Sequence, residues 1–303
     1  MKRMLFILIL AILSSSSAAL AMTSANYKLN WDSINSGGDD ISSSTNYILH
    51  DTVGEVATGS STSENYRLRA GYRYGDTETF SLSFDIGTQE NSTETAFTAF
   101  SNAGKTVTVA SAAAYSVGNF IGVVENEGAT QIIAVGKITN ITGLVITVDA
   151  WDGSPSLVSA IPAGVDDFVY RLNGSAAQLG TITTSIVATS LTHTSVLSNI
   201  ENGYTIYVLD DGNLRIDATT YMGNVADGTV TAGSNEYGAR VFGTSATSTG
   251  SDFAFATTTR AVQESNTFAN NDRIGLVYKA AISAITAAGN YSHEVYYTLT
   301  GKF

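Results

Sequence analysis

Between Lys105 and Asp152 the chain repeats one pattern four times, a short apolar run followed by turn residues. The runs are Val107-Thr108-Val109, Phe120-Ile121-Gly122-Val123-Val124, Ile132-Ile133-Ala134-Val135 and Leu144-Val145-Ile146-Thr147-Val148. Gly118-Asn119, Glu127-Gly128, Asn140, Gly143 and Asp152-Gly153-Ser154-Pro155 punctuate them. Runs this short and this rich in β-branched residues favour strands over helices. Their close, regular spacing predicts a small antiparallel barrel or sandwich of roughly 50 residues, either inserted into the C-terminal domain or placed ahead of it. The rest of the chain agrees in composition: Ser and Thr make up 72 of 303 residues, with 28 Gly, 15 Tyr, 2 Pro and 14% charged residues. That balance excludes helical bundles and coiled coils, and the 44% hydrophobic content excludes a charged disordered chain. An all-β fold is expected. The best helix candidate, Ala280-Ala281-Ile282, sits in no sustained 3.6-residue period, so no long helix is expected.

Met1-Lys2-Arg3 precedes the apolar run Met4 to Leu13 and the small-residue end Ala19-Leu20-Ala21. A positive start, an apolar stretch of about ten residues and an A-x-A site predict a signal peptide over residues 1–21, cleaved before Met22. The run is shorter than the roughly 20 residues a membrane helix needs, and no later stretch approaches that length. Export to the extracellular space or cell surface follows. Without Lys2 and Arg3 the chain holds 13 basic and 27 acidic residues, a net charge of −14. Such a surface repels phosphate backbones, which argues against nucleic acid as a partner. With no cysteine, disulfides, thiolate metal sites and a lipid-anchored N-terminus are all excluded.

Residues 22–78 carry a repeat: Asn26-Tyr27-Lys28-Leu29, Asn46-Tyr47-Ile48-Leu49 and Asn65-Tyr66-Arg67-Leu68, at spacings of 20 and 19. Tyr and Leu at i and i+2 share one face of a strand, and Gly37-Gly38, Gly54 and Gly59 supply turns. These tyrosines read first as packing between short strands. Exposed in a row, Tyr27, Tyr47 and Tyr66 are candidate ligand-contact aromatics. Residues 79–103 follow as an opening strand, alternating Phe80, Leu82, Phe84 and Ile86 against Ser81, Ser83 and Asp85, and a polar connector, Gly87 to Asn102. The small β module is assigned to 104–165 and a C-terminal β-sandwich to 166–303. Strands are expected there at Phe168–Leu172, Leu179–Val187, Tyr204–Leu209, Ile274–Tyr278 and Val295–Phe303. Asp210-Asp211-Gly212-Asn213 is expected to turn a hairpin between Tyr204–Val208 and Leu214–Ile216.

The chain ends Ala287-Ala288-Gly289-Asn290-Tyr291-Ser292-His293-Glu294-Val295-Tyr296-Tyr297-Thr298-Leu299-Thr300-Gly301-Lys302-Phe303. This resembles the closing strand of exported bacterial surface domains, and loosely that of the WxL surface family, with Tyr297-Thr298-Leu299 where the family has Trp-x-Leu and Ala287 where the turn has proline. Leu82-Ser83-Phe84-Asp85-Ile86-Gly87 resembles an opening strand of such domains. The resemblance implies a β-sandwich held at the cell envelope without covalent sorting. The same closing residues, alternating Val295, Tyr297, Leu299 and Gly301 and ending in Phe303, also fit an outer-membrane barrel strand.

No catalytic cluster emerges. His50, His193 and His293 are far apart and lack metal-ligand spacing. His193 lies in Thr192-His193-Thr194-Ser195, where a Ser-His-Asp triple arises by chance among so many hydroxyls, and no Gly-x-Ser-x-Gly elbow accompanies it. The doublets Asp39-Asp40, Asp166-Asp167 and Asp210-Asp211 place neighbouring carboxylates on opposite strand faces or in turns, so none can act alone as a hydrolytic pair. No calcium loop or phosphate-cradling glycine loop is present. Asn91, Asn140, Asn173 and Asn290 form Asn-x-Ser/Thr sequons that Ser/Thr richness alone explains. Trp151, beside a turn, is a candidate sugar-stacking platform or a core residue of the small module. The sequence therefore predicts no cofactor and no metal, and a secreted, non-catalytic structural or adhesive protein of the envelope. Its partners would be cell-wall glycan or neighbouring copies of itself. A carbohydrate-binding module and an outer-membrane barrel are the alternatives.

Overall fold

The structure, a computed structural model, describes residues 80–162 and 164–303, together with the backbone of four short strands earlier in the chain. The chain divides into two units, Met1–Thr79 and Phe80–Phe303. In the first, β1 (Ser42–Ser43) pairs antiparallel with β2 (Ile48–Leu49), and β3 (Gly59–Thr62) with β4 (Arg67–Ala70). Tyr27, Tyr47, Tyr66, His50 and Asp39-Asp40 lie outside the described residues.

The second unit is all β, with one 3-10 turn at Asn91–Thr93. Among the described residues no helix is long and apolar enough to cross a membrane. Its strands are β5 (Leu82–Thr88), β6 (Thr95–Ser101), β7 (Thr106–Val109), β8 (Phe120–Glu125), β9 (Ile132–Thr142), β10 (Val145–Val148), β11 (Asp152–Gly153) and β12 (Phe168–Arg171). Then come β13 (Ala188–Ser198), β14 (Tyr204–Asp210), β15 (Gly223–Asn224), β16 (Glu236–Phe242), β17 (Arg260–Ser265), β18 (Ala269–Ala281) and β19 (Val295–Gly301).

The first layer is a barrel. The sheet β10-β7-β6-β12-β8-β9 closes on itself because β10 pairs with both β7 and β9, and β11 hangs outside the ring on β9. Closure removes the free edges that short apolar strands would otherwise expose. Inside are Phe97, Phe100, Val107, Val109, Ile121, Val123, Ile138, Ile146, Val148 and Val169, all buried. The second layer is a sandwich, in which the sheet β15-β16-β18-β13-β5 packs on β17-β14-β19. Its core holds Ile206 and Val208 of β14, Ile274, Leu276 and Tyr278 of β18, Val241 of β16 and Val262 of β17.

The barrel covers the outer face of the five-stranded sheet. Phe120, Val124, Ile133, Val135, Tyr170 and Leu172 of the barrel form one core with Leu191, Phe242 and Val277 of the sheet. This double coverage explains why β8, and most of β13 and β18, are buried on both faces. Gly275 of β18 permits the contact, since a Cβ there would lie 2.2 Å from Ile133 Cδ1.

Pairing also redraws the sequence boundaries. β5 is an edge strand of the sandwich, pairing with β13 from Leu82 to Thr88, so the barrel is inserted between β5 and β13. β6 lies in the stretch read as a polar connector. A register shift between Phe97 and Ala99 breaks its alternation, so Phe97 and Phe100 face inward three residues apart. β12, placed with the sandwich in the sequence reading, pairs with β6 and β8 in the barrel. Leu179–Val187 forms no strand; Leu179 and Ile182 reach the sandwich core from irregular chain. The expected hairpin after β14 is absent, because β17 and β19 already occupy both edges of β14. Asp210–Asn213 still turns the chain, and Leu214 and Met222 fold back together over the core. The helix candidate at Ala280 is the end of β18.

Barrel and sandwich meet closely at Gly87, where an added Cβ would stand 1.9 Å from the Leu172 carbonyl oxygen, a backbone atom with little freedom to retreat. Gly87→Ala is therefore expected to destabilise the second unit by roughly 3 kcal/mol or more, read as a lowered denaturant midpoint.

Candidate functional site

The densest buried charge in the described residues lies in the seam between barrel and sandwich. Along β18, alternation sends Arg273, Gly275, Val277 and Lys279 toward the barrel, while Ile274, Leu276, Tyr278 and Ala280 face the sandwich core. Arg273 is 2% exposed. Its Nη1 lies 2.9 Å from Asp149 Oδ1 and its Nε 2.8 Å from Asp152 Oδ2, so one guanidinium holds both ends of the Asp149–Asp152 turn. Lys279 is fully buried; its Nζ reaches Asp252 Oδ1 at 2.9 Å and donates to the Ala129 carbonyl of the barrel at 2.8 Å. Asp252 Oδ2 accepts a further bond from the Val230 N–H at 2.8 Å.

The carboxylates respond differently to one cation. Burial works against the charge of Asp149, but the Arg273 hydrogen bond and charge outweigh it, and its pKa is lowered. Burial dominates at Asp152 and pushes it up to about 6 despite Arg273, with the Asp272 and Asp149 charges adding to the rise. Burial lowers Lys279, and Asp252 opposes that.

His193, on the same face of β13, stacks on Phe120 of the barrel with ring centroids 4.1 Å apart. Nδ1 lies 3.1 Å from the Gly87 carbonyl, which fixes it as the protonated nitrogen of a neutral ring. Nε2 is buried without a partner. Burial takes the pKa down to about 3, and the Arg273 and Lys137 charges act in the same direction. The residue is a neutral packing element between the layers.

A second histidine lies in the sandwich. His293 Nε2 is 2.7 Å from the Tyr237 hydroxyl, and Nδ1 is 3.1 Å from the Gly212 carbonyl and 3.9 Å from Asp210 Oδ2. On paper this is an acid–histidine–hydroxyl line. In space Tyr237 stacks on Phe255, which stacks on Tyr278, whose hydroxyl meets that of Tyr297. Burial raises Tyr237 well above the ordinary phenol range. The line ties the turn after β14 to β16 inside the core.

Two further clusters were not legible in advance. Gln263 Oε1 accepts from Thr194 at 2.6 Å and its Nε2 donates to the Tyr204 hydroxyl at 2.7 Å, which in turn donates to Asp272 Oδ2 at 2.6 Å. At the barrel, the Tyr170 hydroxyl lies 3.1 Å from Glu94 Oε2 and 3.2 Å from both oxygens of Glu127. One phenol proton faces two carboxyl groups, and burial, with the Glu94 charge, raises Glu127.

The remaining sequence candidates resolve simply. Trp151 is buried in the barrel core with its ring centroid 5.1 Å from that of Phe100, a packing residue that offers no open ring to a ligand. Asp167 caps backbone, accepting from Asn126 and Gly164 N–H groups at 3.0 and 2.9 Å. Asp211 accepts from Arg215 at 2.6 Å across its own turn. The cations that organise the seam had one sequence signal: Lys279 stands inside the apolar run Ile274–Ala281 and Arg273 directly before it, where a charge carried into the core must find a partner.

A comparison with family models, curated proteins and solved structures finds no match to this chain.

Two outcomes are expected. Lys279→Met should cost about 3–5 kcal/mol by stranding Asp252, whereas adding Asp252→Asn, which keeps an acceptor for Val230, should restore more than half; chemical denaturation measures both. For pH, the unfolded chain binds a proton at His193 near 6.5 and the folded chain only near 3, so this contribution is present above 6.5 and lost as pH falls through that window. Asp152 has the opposite sign, its contribution being lost as pH rises from 3.8 to about 6. The difference in unfolding free energy between wild type and His193→Gln should therefore shrink on acidification by up to about 1.4 kcal/mol per pH unit.

Proposed function

We propose that the chain is an exported, non-catalytic structural or adhesive protein of the cell surface. The observation that carries this reading is where the ionisable side chains of the described unit are used. Arg273 and Lys279 hold the barrel to the sandwich, His193 stacks on Phe120, and His293 packs against Tyr237 and Phe255. The outward surface is rich in hydroxyls, such as those of Thr298, Thr300 and Tyr296 of β19, alongside exposed acids such as Glu201, Asp217 and Asp227, with apolar side chains exposed at Leu157, Ile161 and Val165. A rigid body presenting such surfaces suits contact rather than turnover. The signal-like start of the chain and the loose WxL resemblance support an envelope location.

The described barrel does not favour the membrane alternative. Its interior is packed with apolar side chains, and β7, β10 and β12 have four residues each, against roughly nine to eleven in a membrane-crossing strand.

Cell fractionation with and without high salt tests the proposal. The chain is expected in the envelope fraction, and the purified protein should bind isolated envelopes. Recovery wholly in the cytoplasm, or no envelope binding, would overturn it. Polysaccharide retention lost in a Tyr27/Tyr47/Tyr66→Ala variant would instead assign the chain to glycan binding through its first unit.

A further inference from the structure

The closing strand β19 has one paired edge and one bare edge. Its register on β14 places Thr205 opposite Thr300 and Tyr207 opposite Thr298. Just beyond the strand ends, Lys302 N–H donates to the Gly203 carbonyl at 2.9 Å and Asp211 N–H to the Glu294 carbonyl at 3.1 Å. Hydrogen-bonded pairs alternate along an antiparallel ladder, so these two bonds assign Tyr296, Thr298 and Thr300 to the bonds with β14. The N–H and C=O groups of Val295, Tyr297, Leu299 and Gly301 therefore point the other way. Among the described residues no strand pairs with β19 on that side and no backbone bond reaches those groups.

Two other edges of the sandwich are guarded. β17, on the far side of β14, is covered by the 245–247 segment, with Glu264 N–H donating to the Ser245 carbonyl and Thr247 N–H to that of Val262; it also carries Arg260 and Glu264 and a register shift. β5 is closed at its end by the Thr88–Gly174 bridge and carries Asp85. β19 reads Val-Tyr-Tyr-Thr-Leu-Thr-Gly, with no charge, no proline and no shift in its pairing. These are the devices that ordinarily keep an edge from pairing with another chain.

We propose that β19 pairs antiparallel with β19 of a second copy about a two-fold axis at Thr298, a contact that rests on the reading of this chain as a contact protein. With Thr298 opposite itself, every residue of the strand is paired. Val295 meets Gly301 and Tyr297 meets Leu299 through hydrogen bonds, while Tyr296 faces Thr300 across a closer, unbonded pair. One step further out, Glu294 of one copy stands opposite Lys302 of the other, whose Nζ also holds Glu264 and Asn266 of its own copy, so no like charges meet at the ends. Shifting the register by two residues unpairs the strand ends and takes Glu294 away from Lys302. Two three-stranded sheets thereby become one continuous sheet, and the shared edge leaves solvent in both copies.

Light scattering on the full chain tests this. The expected mass rises with concentration to twice that of one chain. Thr298 is exposed, so Thr298→Lys leaves the fold and thermal midpoint intact while setting two like charges across the axis, and should hold the protein at single-chain mass. The wild-type chain has no cysteine, so Thr298→Cys should give a disulfide-linked dimer on mild oxidation at least tenfold faster than Ala288→Cys, an exposed loop control. A wild type of single-chain mass at all concentrations, a Thr298→Lys variant that dimerises as wild type does, or equal cross-linking at the two cysteines would overturn the proposal. Envelope binding measured on the same samples separates the readings: a monomeric wild type that still binds envelopes removes the dimer and leaves the surface role standing.

Discussion

Everything in the second unit is organised around β18, a strand buried on both faces from Arg273 to Ala281. It pairs with β13 along one edge and β16 along the other, feeds Ile274, Leu276 and Tyr278 into the sandwich, and sends Arg273 and Lys279 into the barrel. A cation buried at that depth costs several kcal/mol unless a carboxylate and further hydrogen bonds answer it. The structure answers both: Asp149 and Asp152 come from the barrel, Asp252 from the sandwich, and the Ala129 carbonyl from the barrel again. Apolar contact between the layers is tolerant of sliding, as hydrophobic burial is non-directional. The hydrogen-bonded ion pairs, Arg273 with Asp149 and Lys279 with Asp252, are directional and oppose such sliding.

What could be read from the sequence was whatever obeyed a period. The four apolar runs of the small module became β7, β8, β9 and β10, and the alternating segment at Val295 became β19. The turn at Asp210–Asn213 was legible from its residues, but not which strands it would separate, because the partners of β14 come from 50 and more residues downstream. β6 was hidden by its bulge, which moves Phe100 one position off the expected face.

β13 shows the deeper difficulty. Ala188-Thr-Ser-Leu-Thr-His-Thr-Ser-Val-Leu-Ser198 reads as a polar, solvent-facing segment, yet Thr189, Ser190, Thr192, Thr194 and Ser195 are all buried. Serine and threonine are small enough to fit between two packed sheets; Thr194 donates to a glutamine from β17, while the hydroxyls of Thr189, Ser190 and Thr192 are buried without a hydrogen-bond partner among the described residues. The seam was illegible for a related reason: its donors and acceptors are spread from residue 129 to residue 279, and only folding brings them within 3 Å. Trp151, which the sequence left open between platform and core, packs against the Phe100 ring in the barrel core.

The insertion of the barrel has an evolutionary consequence. Both of its connections leave the sandwich at one point, where Thr88 and Gly174 exchange two backbone hydrogen bonds of 2.9 Å. A neck with adjacent ends lets a domain be gained, exchanged or deleted without retracing the host's strand order. Yet deletion here would strip cover from Leu191, Val277 and His193 and leave Arg273 facing water without its aspartates. A descendant that lost the barrel would have to rewrite the outer face of β13 and β18 together, so this guest has become hard for its host to evict.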